Sequence, residues 1–272
     1  MERVGLCVVA FLVLTGAGMG VEIIGHRGAS HDAPENTVAS VRLAWAQGAD
    51  AAEIDVWLTK DARIVALHDE TTERTTGKNW RVGDRTLAEL ATLDAGSWKG
   101  PQFAGEPIPT LEDVLETVPP GKRLVIEIKC GPEIVPHLKE VLGRCKKSPA
   151  QIVLIAFGYE TICRSKQAMP EIPAYWLFGT SPKVDEETGA KSDWPEELAV
   201  KAARAGLDGI DIKYDSKITR DFTDKLRADG MELLVYTVND AEVARRLAAA
   251  GVAGITTDRP GWLRAQLAEK GE

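Results

Sequence analysis

From residue 21 onward the chain alternates short apolar runs rich in Val and Ile with longer stretches whose apolar positions recur every three or four residues. The short runs, bounded by turn residues, predict strands over 21–25, 52–58, 64–68, 124–129, 152–157, 174–178, 209–213, 232–238 and 254–257. The longer stretches predict helices over 37–47, 111–117, 134–145, 160–168, 195–205, 220–229, 241–250 and 261–269. Strand and helix in turn are the pattern of an α/β protein with a parallel sheet and crossover helices. At 272 residues the chain has the length of a TIM-type (β/α)8 barrel, for which ~250 is usual. It offers nine strands where such a barrel needs eight.

The stretch TKDAR, residues 59–63, removes the surplus. Parallel neighbours need a crossover of about a dozen residues, and only these five separate 52–58 from 64–68. The second run is therefore expected to return antiparallel beside the first, with a turn centred on Lys60 and Asp61 and His68 opposite Glu53 or Ile54. Residues 69–109 follow, rich in Thr, Gly, Trp and Pro, with only a brief helical pattern at 87–93. A segment of that length inside a compact domain is usually functional, and it is expected to form a small inserted cap. No linker elsewhere marks a second domain.

The first twenty residues stand apart. Arg3, an apolar stretch over 4–14 and the small residues Gly16, Ala17, Gly18 and Gly20 describe a secretory signal peptide, 1–20, with the barrel over 21–272. The apolar stretch is short for a membrane span of ~20 residues, so an exported, periplasmic or secreted protein without a stable span is expected. Glu2 and Arg3 cancel, so the net charge of −8 stays with the remainder. An acidic chain without a basic run excludes nucleic acid as the natural partner. Cys7 leaves with the signal. Of Cys130, Cys145 and Cys163, the first and third are expected at the same end of the barrel, so any bridge should be Cys130–Cys163.

Composition and pattern place the chemistry at the strand ends, because barrel sites lie at the C-terminal ends of the strands. In order these carry His26 and Arg27, then Glu53 and Asp55, then Glu127 and Lys129. Residues i and i+2 of a strand share a face, so Glu53 with Asp55, and Glu127 with Lys129, each point one way from an apolar run. Three converging carboxylates form a hard oxygen site for one divalent cation, Mg²⁺ or Ca²⁺. Arg27 and Lys129 beside it suit a phosphate. His26 and His68 suit an acid and a base near neutral pH, whereas His31 and His137 read as structural. Gly28 fits a phosphate-facing turn. No Ser or Cys is placed as an activated nucleophile, which leaves water or a hydroxyl of the substrate itself.

The motifs GHRG (25–28), PENT (34–37), EIDV (53–56), HDETTERTTG (68–77), IPTLEDVL (108–115), LVIEIK (124–129), YTVN (236–239) and GITTDRP (254–260) together resemble those of the glycerophosphodiester phosphodiesterases. The resemblance implies a TIM-type barrel that hydrolyses glycerophosphodiesters to glycerol 3-phosphate and an alcohol. It implies His26 and His68 as the acid/base pair, Glu53, Asp55 and Glu127 as metal ligands, Arg27, Lys129 and Tyr236 as substrate contacts, and Asn36 as a support for the first loop. Three positions depart from the family pattern. Tyr236 stands where Trp is frequent, Ala156 where Ser is common, and Ala62 where a turn glycine is usual; the first two bear on the pocket for the alcohol. Two other activities fit the same residues less fully: a phospholipase-like phosphodiesterase acting on lysophospholipids, with Trp80, Trp98 and Phe103 as an apolar entrance, and an exported phosphate-ester binding protein without turnover.

Overall fold

The computed structural model describes residues 20–179, 196–214 and 217–268. The expected signal segment, Gly20 apart, lies outside them, as do the ends of two predicted helices at 195 and 269. Within them the strands are β1 (Glu22–Gly25), β2 (Ala51–Leu58), β3 (Ile64–Ala66), β4 (Arg123–Ile128), β5 (Ile152–Ala156), β6 (Ala174–Phe178), β7 (Gly209–Lys213), β8 (Glu232–Tyr236) and β9 (Gly254–Thr257). The α-helices are α1 (Val38–Ala46), α2 (Glu73–Thr76), α3 (Leu87–Leu90), α4 (Leu111–Thr117), α5 (Val135–Arg144), α6 (Tyr159–Ala168), α7 (Glu196–Arg204), α8 (Arg220–Ala228), α9 (Ala241–Ala250) and α10 (Pro260–Ala268). The sheet order is β1-β9-β8-β7-β6-β5-β4-β2-β3, and β1 also pairs with β2. That pairing closes eight parallel strands into a TIM barrel, with β3 attached outside the count.

Local signals start and stop the helices. Thr37 accepts from the Ser40 amide and Thr110 from that of Asp113, each in a reciprocal capping box, and α9 ends on Gly251 in the left-handed region. Alternate strand residues such as Ile54, Ile126, Leu154 and Ile210 face these helices and are fully buried. Each contributes about 1.5–3 kcal/mol by leaving water.

β3 is antiparallel, as the short connection requires. Leu58 pairs with Ile64 and Val56 with Ala66, so the turn centres on Asp61. The strand ends at Ala66, two residues before the predicted end, and the Ala66 amide, which faces away from β2, bonds to Pro109 O. The Leu67 amide still reaches Asp55 O, which continues the register and brings His68 opposite Ile54. Ala62 occupies the turn with φ 59°, a conformation that costs a non-glycine residue roughly 1–2 kcal/mol. Ala62→Gly is expected to raise the melting temperature by roughly 2–4 °C, since about 1 kcal/mol of relieved strain has that effect in a chain of this size. A lower melting temperature by calorimetry would show that the turn does not carry this strain.

Closure of the barrel fixes heights as well as neighbours. Partners followed from Asp55 run through Glu127, Ile155, Tyr175 and Gly209 to Glu232. Continued by the registers of β9 and β1, the path returns to the second strand's line at position 47, eight residues before position 55. This shear of eight is that of a regular TIM barrel. Halfway round, four strands on, half the shear must be added back. Lys213 rather than Gly209 is therefore level with Asp55, and Asp211 is level with Glu53. Inward side chains stack in layers from alternate strands. Ile24, Val125, Tyr175 and Leu234 form an apolar plug. Glu53, Ile155, Asp211 and Thr256 lie above it, then His26, Glu127, Leu177 and Tyr236.

The 69–109 segment packs Val82, Leu90, Ala95 and Ile108 against Val65 and Leu67 of the hairpin, a small core of its own. Trp57 and Trp80 pack against that core, and Lys78 and Arg85 stack on the Trp80 ring. No helix among the described residues is long and apolar enough to cross a membrane. Cys130, Cys145 and Cys163 are all free. No bridge joins Cys130 to Cys163, the one pairing the sequence would favour: the Cys130 thiol turns toward the Leu58 backbone, and that of Cys163 toward Tyr159 on its own helix. Burial pushes the Cys130 thiol up to about 11.

Candidate active site

The site is organised by one edge of β2. β1 pairs with β2 only as far as Ala52, and β3 takes over the same edge from Val56 in the opposite direction. His26 follows the end of β1 and His68 the end of β3, so the two strands deliver their imidazoles toward each other at the height of Glu53 and Asp55. The other edge of β2 pairs with β4, where Asp55 is the register partner of Glu127. This arrangement draws Glu53, Asp55 and Glu127 together, with ligand oxygens within 4.8 Å of one another.

Each imidazole is backed by a carboxylate. His26 Nδ1 lies 2.6 Å from Asp258 Oδ1, and Asp258 also accepts from Ser30 Oγ and Asn239 Nδ2. Burial pushes the Asp258 carboxyl up, but these bonds and the His26 charge outweigh it and hold it at about 2. His68 Nδ1 lies 2.7 Å from Asp69 Oδ1, and its carbonyl accepts from Trp57 Nε1. Asp69 in turn accepts from Arg74 Nε at 2.6 Å, and Arg74 forks onto Glu35, which binds Arg27 at 2.8 Å. A continuous chain of charges thus joins His68 to Arg27. Burial, reinforced by the Arg27 and Lys129 charges, lowers the His68 pKa despite Asp55 and Asp69.

Arg27 has φ 53° and donates its amide to Glu53 Oε2 at 2.8 Å, while its Nε faces Asp55 at 3.2 Å. Asn36 clasps Asp55 twice, by Nδ2 to Oδ2 and by accepting the Asp55 amide, the support expected of it. Lys129 Nζ lies 2.7 Å from Glu127 and 3.4 Å from Asp55. Gly28 has the left-handed conformation expected of it, φ 83°, and a further reason to be glycine: a Cβ there would stand 2.5 Å from the Ser40 backbone, so the glycine lets the loop close onto α1.

The carboxylate cluster is electrostatically incomplete. Burial first, then repulsion from Asp55 and Glu127, raises Glu53 well above the carboxylate range, and burial with Asp55 raises Glu127 to about 7. Glu53 Oε1 is buried without a hydrogen-bond partner. A compact anionic oxygen set with an unmatched acceptor fits a divalent cation.

The mouth beyond the cluster is aromatic. Phe157 is 48 % exposed and meets Tyr236 edge-on at 6.4 Å. The Tyr236 hydroxyl donates to Phe178 O, which commits its proton and leaves its ring and an acceptor lone pair for a ligand. Ala156 faces the helices and is fully buried, so it has no part in the pocket its departure was expected to affect. His31 pairs with Asp32 at the surface and His137 lies on α5; neither side chain joins the site.

Sequence reading missed Asp258, Asp69, Glu35, Arg74 and Asn239 as partners, although all lie inside the motifs quoted above. It also missed Asp211, an inward acidic residue at 2 % exposure on β7. The signal was available, since GIDIK carries a charged pair at strand spacing just as EID and EIK do. Burial first, then the Glu127 charge, raises Asp211 well above the carboxylate range.

A TIM barrel whose strand ends carry paired imidazoles, an acidic triad and an arginine is built for phosphoester chemistry. Residues 26–262 match the glycerophosphoryl diester phosphodiesterase family. A glycerophosphodiester phosphodiesterase of Caldanaerobacter subterraneus subsp. tengcongensis is 34% identical over 242 residues, covering 88% of this chain and 94% of that protein. One from Bacillus subtilis is 33% identical over 256 residues, covering 87% and 83%. A phosphodiesterase from Oleispira antarctica, solved in complex with the product sn-glycerol-3-phosphate, superposes with a TM-score of 0.78 at 30% identity, covering 91% of this chain and 97% of that one. The chain belongs to the glycerophosphoryl diester phosphodiesterase family.

Proposed function

We propose that the protein hydrolyses glycerophosphodiesters to glycerol 3-phosphate and an alcohol, with His26 and His68 as its acid/base pair and with one divalent cation, Mg²⁺ or Ca²⁺, held by Glu53, Asp55 and Glu127. The observation that carries this reading is the convergence of two carboxylate-backed imidazoles on the β2 edge that bears Glu53 and Asp55. The cation, when bound, supplies Lewis acidity at the phosphoryl oxygens and makes a coordinated hydroxyl easier to deprotonate. Arg27, already anchored through Glu35, offers its guanidinium to the phosphate, and Lys129 adds a point charge.

With no activated Ser or Cys in view, the substrate's own glycerol 2-hydroxyl is the favoured nucleophile because it is tethered beside phosphorus. One imidazole accepts its proton and the other protonates the leaving alcohol, which gives a cyclic phosphate that water opens. The alcohol, leaving toward Phe157 and Tyr236, is loosely specified. Lysophospholipids remain a second substrate class to assay. Trp98, 43 % exposed, suits an apolar entrance, whereas Trp80 serves the small core of the 69–109 segment. Export follows from the sequence of residues 1–20 and is read by N-terminal sequencing of the secreted protein.

The test is turnover of a head-group panel (choline, ethanolamine, glycerol and an acylated lysophospholipid), with metals added back after chelation. Cation-dependent release of glycerol 3-phosphate from the short diesters is expected. Binding without turnover would point instead to a capture protein.

A further inference from the structure

We propose that Asp211 recognises the glycerol half of the diester, its carboxyl hydrogen-bonding the primary hydroxyl on the floor of the site. This deepens the activity proposed above and rests on it.

Asp211 is built into the barrel interior at a position where a polar group needs a partner. Its strand neighbours Ile210 and Ile212 face the helices, so the Asp211 side chain points to the axis. β7 is four strands from β2 by either path, and the shear places Asp211 at the height of Glu53. The two acids therefore face each other across the axis, one layer beneath His26, Glu127 and Tyr236. Beneath them lies only the apolar plug around Tyr175 and Leu234.

The other acids of the interior each have a partner: Glu53 the Arg27 amide, with its Oε1 left open in the proposed cation cluster, Asp55 both Asn36 and Arg27, and Glu127 Lys129. Asp211 Oδ1 is buried with no hydrogen-bond partner. A buried polar atom without a partner is rare and calls for an occupant. The occupant must come from the mouth, pass the ring of His26, Glu127 and Tyr236, and end in a small polar group. A phosphate held by Arg27 stays above this level, and the 2-hydroxyl stays beside phosphorus. The primary hydroxyl, at the far end of the glycerol chain, is the group that reaches the floor. The raised affinity of Asp211 for its proton, caused mainly by burial, suits a donor to that hydroxyl.

A site that hydrogen-bonds a substrate hydroxyl from a buried group rejects the analogue that lacks it. The experiment compares glycerophosphocholine with the propane-1,2-diol analogue, which keeps the 2-hydroxyl and loses the primary one. The wild type is expected to favour the intact substrate by about 10²-fold or more in kcat/KM. Asp211→Asn should keep most of that preference. Asp211→Leu should reduce it to a few-fold, chiefly through KM for the intact substrate. An undiminished preference in a folded Asp211→Leu enzyme would overturn the assignment. So would equal wild-type affinities for glycerol 3-phosphate and propane-1,2-diol 1-phosphate by calorimetry, a measurement that needs no variant. A wild type that turns over no glycerophosphodiester overturns the proposed activity first, whereas turnover without discrimination overturns the role of Asp211 alone.

Discussion

Asp55→Asn is expected to lower kcat/KM by about 10³-fold or more, with a parallel loss of divalent-cation binding by calorimetry. Asp55 is the centre of the site: it meets Arg27 Nε at 3.2 Å and Lys129 at 3.4 Å, and Asn36 fixes its orientation. An amide keeps the shape but removes the anionic oxygen on which a hard cation depends. Loss of several kcal/mol of charge stabilisation corresponds to about three orders of magnitude in rate. The same substitution should leave the metal-free fold intact or firmer, because Asp55 contributes to the raised affinity of Glu53 and Glu127 for protons.

The sign of the pH dependence follows. Glu127 is raised from 4.5 to about 7, so the metal-free native state holds a proton that the unfolded chain has released. This contribution to stability is fully present below pH 4.5 and is lost as the pH rises toward 7. Asp55→Asn should flatten that decline. Wild-type activity unaffected by chelator, or full activity of Asp55→Asn, would remove the cation from the account.

The fold was legible because a barrel strand buried on both sides reads as an apolar run and a crossover helix reads as a period of three to four. The five-residue TKDAR connection alone was enough to set β3 antiparallel and to place His68 opposite Glu53 or Ile54, between which the observed register selects Ile54. The carboxylate triad was legible because charged pairs at strand spacing have no place in an apolar run unless they face a cavity. What stayed hidden depends on distances that strand spacing does not encode. Asp258 reaches His26 because β9 is the neighbour of β1, although 232 residues separate the two. Arg74 joins Glu35 to Asp69 because the 69–109 segment folds back over the first loop. The turn at Gly28 was legible, but its close approach to Ser40 on α1 was not. The height of Asp211 opposite Glu53 emerges only once the sheet closes and its shear is counted.

His26 and His68 should differ in how a good leaving group compensates for their loss, and the difference identifies the acid and the base. Asp69 shares its charge with Arg74, whereas the other hydrogen-bond partners of Asp258, Ser30 and Asn239, are neutral. Asp258 therefore keeps its charge beside His26 Nδ1, 2.6 Å away, which suits His26 to the acid role. His68, lowered by burial and flanked by the Arg27 and Lys129 charges, is neutral near pH 7 and suits the base. Either alanine variant should cost about 10²–10⁴-fold with an alkyl leaving group. With glycerophospho-p-nitrophenol, whose phenolate leaves without a proton, His26→Ala should recover to within about tenfold of the wild type and His68→Ala should not. Because the reactive form of His68 is the neutral imidazole and its pKa is lowered, the acidic limb of kcat/KM should fall below pH 6.5 and vanish in His68→Ala. Recovery of His68→Ala instead would exchange the two roles, and recovery of neither variant would mean that leaving-group protonation belongs to a different residue.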